Sequence, residues 1–166
     1  DITHKGFLRT LQFVKPGVWE YEIEAELTHE YLSNRATRHA YEPIVATGEN
    51  ACFLHYYANN TQCKSGELLL MDCAAEYANY CSDLTRTIPV NGKFSKRQKE
   101  VYNAVLSVHK QAVQLMKPGI QLFEFNKQIG EIMEGELIKL KLLKPTDVKK
   151  QDKKNPLYKN GFNPRD

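Results

Sequence analysis

The sequence lacks any apolar run close to the roughly 18 residues that a membrane-spanning helix requires. Its opening residues, Asp1-Ile-Thr-His, do not resemble the start of a secretory signal peptide. Charge of one sign is also scarce, because the net charge is only +3 across 166 residues. So small an excess does not indicate a nucleic-acid partner. We therefore expect a protein with neither a membrane nor a nucleic acid among its partners.

Closely spaced cysteines are absent as well. The irregular spacing of the four cysteines, with no C-x-x-C pair, favours reduced, buried thiols and a cytoplasmic setting; they are Cys52, Cys63, Cys73 and Cys81. On a regular strand Cys73 points to the opposite face from its neighbour Asp72, which argues against thiolate ligation of a soft metal beside that residue.

Histidine is scarce in the second half of the chain, where none follows His109. His29-Glu30 begins an H-E-x-x-H pattern, but Ser33 occupies the place of the second histidine. The pattern therefore excludes a zincin motif, and we expect His29 to be a surface residue.

The residues that are present predict one α+β domain with an ordinary core, since 42% of them are hydrophobic. Residues 3–14 carry helical spacing at Phe7, Leu8, Leu11 and Val14, and residues 20–33 carry it at Ile23, Leu27 and Tyr31. A capping box at Ser95 and Gln98 opens a third helix, and a fourth is predicted over 122–143. Residues 43–46 and 51–57 are predicted to pair as strands around a turn at 47–50.

The segment from Glu67 to Val90 contains the main candidate site residues. Its apolar run at 68–71 predicts a strand buried on both faces. If the chain folds back around Tyr77-Ala78, Asp72 at the end of this strand directly faces Asp83. Like charges in such a cross-strand pair are destabilising, and a divalent metal between them is the simplest compensation.

The sequence motifs around the two aspartates resemble those of a known family. The motif D-x-A-A-E-Y-x-x-Y-x-S-D-L-T-R-T-x-P-V-N-G-K-F begins at Asp72, and P-I-V-A-T-G-E-N-A-C-F-L-H-Y begins at Pro43. Both resemble the Xaa-Pro aminopeptidases, or aminopeptidase P, of the creatinase/prolidase/methionine aminopeptidase superfamily. The resemblance implies the pita-bread fold, in which two αβ halves hold metal ions between them.

The same resemblance implies a set of site residues. Asp72 would bind one metal ion and Asp83 would bridge two. His55 would line the active site and contact the substrate or the reacting groups without binding metal. Thr85 and Arg86 would lie beside Asp83 and orient it.

The implied cofactors are two divalent metal ions, manganese first and cobalt or zinc next, held weakly or not at all by this chain. The implied activity is removal of the N-terminal residue ahead of proline. The implied partners are peptides with proline at the second position, and the complete protein would be a homo-oligomer.

An internal repeat supports this interpretation. Val14-Lys-Pro-Gly-Val18 recurs as Met116-Lys-Pro-Gly-Ile120, an offset of 102 residues, with a predicted helix on each side of both copies. We interpret residues 1–116 as a first αβ repeat, 117–144 as the start of a second, and 145–166 as a polar connector. The whole chain, 1–166, would be a partial catalytic domain.

Counting ligands against the family pattern makes activity of this chain alone doubtful. The family's further ligands, one histidine in an H-G-x-x-H-type segment and two glutamates, belong to the second half and have no counterpart here. Three alternatives therefore stay open: a non-catalytic pita-bread binding module, an Xaa-Pro dipeptidase (prolidase), and a truncated chain that folds only with a partner.

Overall fold

The computed structural model describes residues 1–151, in two compact units that divide between Lys93 and Phe94. The first unit contains two helices, a 3₁₀ helix and six strands: α1 Ile2–Phe13, α2 Glu20–Ser33, β1 Arg38–His39, β2 Ile44–Thr47, the 3₁₀ helix Gly48–Cys52, β3 Leu68–Asp72, β4 Ala75–Tyr77, β5 Tyr80–Cys81 and β6 Thr85–Pro89. The second contains α3 Lys96–Leu115, α4 Leu122–Lys139 and α5 Pro145–Lys150. No helix among the described residues is long and apolar enough to cross a membrane.

The first two helices pack against each other around a glycine. The sequence prediction for α2 is confirmed, since Ile23, Leu27 and Tyr31 are all buried. The prediction for α1 is only partly right. Its buried face consists of Thr3, Gly6, Phe7 and Thr10, whereas Leu8 and Leu11 are about half exposed.

The physical reason is close approach. A Cβ atom at Gly6 would lie only 2.4 Å from Cε1 of Tyr31, so α1 contacts α2 along its small residues, and its leucines face outward. On hydrophobicity alone, leucine is expected in the core before glycine or threonine. In α1 the close packing against α2 instead buries the glycine and the threonines and leaves the leucines exposed.

The strands form two three-stranded antiparallel sheets, with the orders β2-β3-β6 and β1-β4-β5. Two predictions about them are wrong. β2 pairs with β3 rather than with residues 51–57, which form the end of the 3₁₀ helix and a loop. β3 is fully buried on one face only, at Leu69 and Met71, while its other residues are half-buried.

The central hairpin folds back one position later than predicted. Its two turn residues are Ala78 and Asn79, both with positive φ, at 52° and 67°. That conformation matches a type I′ turn, whose twist suits a hairpin. Tyr77 therefore pairs with Tyr80, and farther along the same hairpin Asp72 pairs with Thr85 rather than with Asp83.

The second unit repeats the helix–turn–helix arrangement of the first. The predicted capping box is confirmed, because the Ser95 hydroxyl accepts a hydrogen bond from the Gln98 amide. Gly17 and Gly119, the third residues of the two Lys-Pro-Gly turns, have nearly equal φ angles of 96° and 92°. The division at Lys93 places α3 with α4, whereas the sequence prediction placed the boundary between repeats after residue 116.

The predicted connector begins with structure of its own. Residues 145–150 form the short helix α5, none of whose residues is buried, and the polar connector over 145–166 stays a prediction. Pro145 suits the first turn of a helix, where its missing N–H has no partner to lose. Residues 152–166 lie outside the described part of the chain.

We expect Gly6→Ala to destabilise the first unit by about 1–3 kcal/mol, because the added methyl overlaps the Tyr31 ring and forces the two helices apart. Urea denaturation measures this change. Gly135→Ala in α4 is the matched control, because apart from the neighbouring backbone of its own helix no heavy atom lies within 4 Å of its Cβ position; replacing a helical glycine there should stabilise by up to about 1 kcal/mol. Equal effects at the two positions would contradict the close approach.

His39 gives a pH-dependent prediction. Burial lowers the pKa of His39 below its usual 6.5, against a smaller opposing effect of Glu24. The unfolded chain therefore binds this proton first as the pH falls, and stability present above about pH 6.5 is lost below it, by at most about 1.4 kcal/mol per pH unit.

The measurement is the urea midpoint between about pH 7.5 and 5. His39→Gln should reduce the acid-dependent loss, whereas His29→Gln, at an exposed position in α2, should retain it. An identical pH profile for wild type and His39→Gln would contradict the assignment.

Candidate functional site

One hydroxyl group joins the two aspartates singled out in the sequence. The Tyr41 hydroxyl lies 2.7 Å from Oδ1 of Asp72 and 3.3 Å from Oδ1 of Asp83. The two carboxylate oxygens therefore lie no farther apart than the sum of these distances, about 6 Å. Asp72 and Asp83, hereafter the carboxylate pair, thus converge on one point although they are not direct cross-strand partners.

The register explains this geometry. Side chains two residues apart on a strand share a face, so Asp83 lies on the same face as Thr85, the partner of Asp72. Asp83 is then the diagonal neighbour of Asp72, at the separation of roughly 7–8 Å between Cα atoms that such neighbours have. A shift of the predicted turn thus changes the direct partner and keeps both carboxylates on one face.

The hairpin ladder loses one backbone hydrogen bond on each side of Asp83. The Leu84 amide donates to the Tyr41 hydroxyl at 3.4 Å, and the Ala75 amide donates to the Thr3 hydroxyl at 3.0 Å. The Ser82 hydroxyl binds Thr3 at 2.6 Å and donates to the Ala75 carbonyl at 3.0 Å. Two side-chain hydroxyls therefore replace two ladder acceptors, while the Cys73 amide still donates to the Leu84 carbonyl at 3.2 Å and the Ser82 amide to the Ala75 carbonyl at 3.3 Å. The register of the hairpin thus continues past Asp83.

The environment keeps Tyr41 protonated. Burial raises the pKa of the Tyr41 phenol strongly, and the hydrogen bond to Asp72 and the charges of both aspartates raise it further. A tyrosine hydroxyl has one proton to donate, so it cannot bind both carboxylates at full strength. The shorter bond to Asp72 leaves Asp83, which is exposed, the less satisfied of the two.

The donor set fits part of a divalent-metal site. Carboxylate oxygens are hard ligands, and a hard divalent ion prefers about six oxygens. Within residues 1–151 no group of three or more His, Cys, Asp or Glu side chains is arranged to hold a metal ion. The carboxylate pair therefore offers two ligands of an incomplete shell.

The other predicted residues lie around this pair as follows. Thr85 is exposed and pairs with Asp72 across the hairpin. Arg86 pairs with Met71 and donates to the Thr85 carbonyl at 2.8 Å; alternation along the strand places its side chain on the opposite face from Asp83.

The cysteines are all free thiols, but only Cys63 and Cys73 are buried, so the prediction of buried thiols is wrong for Cys52 and Cys81. Burial, with the charge of Asp72, raises the pKa of the Cys73 thiol far above its usual value. Its sulfur lies 3.4 Å from the Ile44 carbonyl, to which it donates. Cys73 is therefore a protonated core residue.

His55 lies in the loop after the 3₁₀ helix, not in the predicted strand. Its backbone has a φ of 58°, and its exposed ring stacks on Tyr57 with the ring centroids 5.9 Å apart and the planes 4° from parallel. Within residues 1–151 no hydrogen bond joins His55 to either member of the carboxylate pair.

Sequence reasoning missed Tyr41 and Thr3. Tyr41 lies in the segment between β1 and β2, two residues before Pro43, and belongs to no charged or metal-ligand pattern. Thr3 is 72 residues away in sequence from the Ala75 amide, whose hydrogen bond it accepts. Only the tertiary pairing brings these hydroxyls to the site, so spacing along the chain contained no signal for either.

Comparison with known proteins now identifies the class. Residues 1–155 match metallopeptidase family M24, and the chain belongs to this family. It is 36% identical to the Xaa-Pro aminopeptidase of Escherichia coli over 164 residues and 41% identical to that of Haemophilus influenzae over 144 residues. These alignments cover 98% and 87% of the chain but only 37% and 34% of the two relatives.

A solved structure agrees with the sequence matches. Zinc-substituted E. coli aminopeptidase P in complex with product superposes with a TM-score of 0.84 at 36% identity, over 96% of this chain and 35% of that one. The predicted α+β, pita-bread fold is therefore confirmed. The chain spans about a third of the length of the relatives it matches.

The opened ladder gives a prediction at Thr3. Thr3→Val removes the acceptor of the buried Ala75 amide, and an unsatisfied buried amide costs about 1–3 kcal/mol. We expect a loss of that size in the free energy of unfolding, measured by urea denaturation. Thr3→Ser keeps the hydroxyl, and its free energy of unfolding should fall by clearly less. Equal losses for valine and serine would show that the methyl group, rather than the hydroxyl, matters.

Proposed function

We propose that this chain supplies the Asp72 and Asp83 ligands of a divalent-metal centre in an Xaa-Pro aminopeptidase, which removes the N-terminal residue of peptides whose second residue is proline. The observation that carries the proposal is the convergence of the carboxylate pair on the Tyr41 hydroxyl in a chain of family M24. The named relatives at 36% and 41% identity are Xaa-Pro aminopeptidases, which supports the choice of substrate.

The roles of the chain's own residues follow from their chemistry. Asp72 and Asp83 would hold the ions, which when bound polarise a carbonyl group and lower the pKa of water. Tyr41 orients Asp72 through its hydroxyl and keeps its proton. His55 would contact the substrate or the reacting groups, and Thr85 and Arg86 would support the hairpin beside Asp83.

The finer parts of the proposal rest on the same family membership. We favour manganese, with cobalt or zinc as alternatives, because carboxylate oxygens suit hard ions. The four free thiols support a cytoplasmic setting, and the complete protein is proposed to be a homo-oligomer. Because two carboxylates are only part of a coordination shell, an ion bound by this chain alone should be held weakly.

Metal binding is the direct test. Calorimetric titration of the chain with Mn²⁺ should give a dissociation constant on the order of 10⁻⁴ M or weaker. Asp83→Asn removes one ligand and should weaken binding by at least about tenfold, as should Asp72→Asn. Glu49→Gln, at an exposed position in the 3₁₀ helix, is the matched control. Unchanged Mn²⁺ affinity in Asp83→Asn would reject the carboxylate pair as ligands.

Activity is tested by restoring the rest of the domain. We expect no useful turnover of a Gly-Pro-type peptide by the 166-residue chain alone, since it offers too few ligands. A hybrid in which the chain replaces the matching segment of the E. coli enzyme should hydrolyse the peptide, and Asp83→Asn should abolish this.

A folded hybrid with bound metal but no turnover would contradict the proposal and favour a non-catalytic pita-bread module. Turnover by the isolated chain that disappears in Asp83→Asn would contradict only the expectation that further ligands are needed, and it would leave the role of Asp83 intact.

A further inference from the structure

A single buried carboxylate closes the loop that carries His55. Glu20, the first residue of α2, is 0% exposed. Its Oε1 atom accepts hydrogen bonds from the Thr47 amide at 2.7 Å and the Asn50 side chain at 3.1 Å. Its Oε2 atom accepts from the Thr61 amide at 2.9 Å and the Tyr56 hydroxyl at 2.8 Å. These five residues form the Glu20 network.

The network binds the loop at both ends and inside it. Thr47 is the last residue of β2 and Thr61 follows the loop, so Glu20 joins the two points between which residues 48–60 run. Asn50 and Tyr56 belong to that loop. An ionised carboxylate has about four lone-pair sites, and all four are used by donors.

The same four hydrogen bonds compensate for the free-energy cost of burying the Glu20 carboxylate. Within the described residues no salt bridge involves Glu20, and an unpaired buried carboxylate is unfavourable unless donors satisfy it. Hydrogen bonds to an ionised acceptor are stronger than neutral ones. The loop conformation and the buried charge therefore stabilise each other.

A second buried side chain fixes the far part of the loop. Asn59, 3% exposed, accepts from the Val45 amide at 2.9 Å and donates to the Glu24 carboxylate and the Pro43 carbonyl, both at 2.9 Å. The part of the loop between Asn50 and Asn59 is thus held at its centre by Tyr56.

His55 is the immediate neighbour of that central contact. Its left-handed backbone, with φ at 58°, is unfavourable for a residue with a side chain unless the surroundings hold it. Tyr56 on one side binds Glu20, and Tyr57 beyond it stacks on the imidazole. Phe53 and Leu54 on the other side are 65% and 75% exposed, so they provide little packing.

We propose that Glu20 is a positioning residue for His55: through Tyr56, its carboxylate holds the loop in the one conformation that presents the imidazole stacked on Tyr57. The inference rests on the proposed function for the importance of His55, and on the structure for the mechanism of positioning. A histidine on a loop without regular secondary structure needs such support, because a misplaced catalytic group loses much of its effect.

The test uses the 166-residue chain and follows His55 directly. Tyr56→Phe removes one of the four donors and keeps the aromatic ring. Glu20→Gln removes the charge and turns one acceptor into a donor. Tyr80→Phe is the matched control, because Tyr80 is 84% exposed. Two readouts are compared: hydrogen exchange of the backbone amides of residues 52–58, and the ring-proton NMR signals of His55, assigned with His55→Gln.

We expect Tyr56→Phe and Glu20→Gln to speed exchange of the Phe53 amide, which donates to the Asn50 carbonyl at 3.0 Å, at least tenfold. Both should also remove the nuclear Overhauser contacts and the ring-current shift between His55 and Tyr57. Tyr56→Phe should leave exchange in α1 and α2 unchanged, which a general loss of stability would not do. Tyr80→Phe should change neither readout.

The inference is overturned if Tyr56→Phe retains the stacked His55 signals and the exchange rates of the wild type. If Glu20→Gln fails to fold, Tyr56→Phe alone decides. Mn²⁺ binding measured on the same variants separates the two proposals, because Tyr56→Phe should bind the ion as the wild type does. A change in the His55 readouts with Mn²⁺ affinity intact supports positioning, and loss of that affinity in Tyr56→Phe argues against it.

Discussion

The antiparallel pairing of β3 with β2 and β6 is the constraint on which the candidate site depends. It places Leu69 and Met71 in the core and, by strand alternation, Asp72 on the other face. The pairing with β6 brings Thr85 opposite Asp72 and makes Asp83 its diagonal neighbour. A slip of one residue would exchange the two faces and remove the carboxylate from the site.

The sequence identified the family but not the register. Long sequence motifs such as the one that begins at Asp72 are specific enough to predict the pita-bread fold. The position of helix α2 and its buried face were also predictable. The turn was not, because the backbone at Ala78 and Asn79 has positive φ at both residues and alanine is an unusual choice for it. The error moved the turn by one residue, so the partner of Asp72 changed while the face did not.

The site itself was half predictable. Both aspartates could be singled out because they lie in a long motif that resembles one family. Tyr41, Thr3 and Glu20 were not found, because each acts through a hydrogen bond to a residue between 27 and 72 positions away in sequence. A buried polar side chain must find partners, but the linear sequence does not show which ones. His55 was placed in a strand because its neighbours are aromatic and β-favouring, whereas the hydrogen bonds of Glu20 and Asn59 hold this segment as a loop.

The similarity of the two Lys-Pro-Gly turns has a consequence for what such a turn requires of the helices that it joins. At an offset of 102 residues, Gly6 and Tyr31 correspond to Val108 and Met133. Gly6, the smallest residue, lies in close approach to the large Tyr31 ring. Val108 and Met133 are both of intermediate size. The turn geometry is nevertheless nearly the same in both units, with φ of 96° at Gly17 and 92° at Gly119. A Lys-Pro-Gly turn of this shape therefore does not require a glycine at the position of Gly6, and the space between the two helices can be filled from either of them.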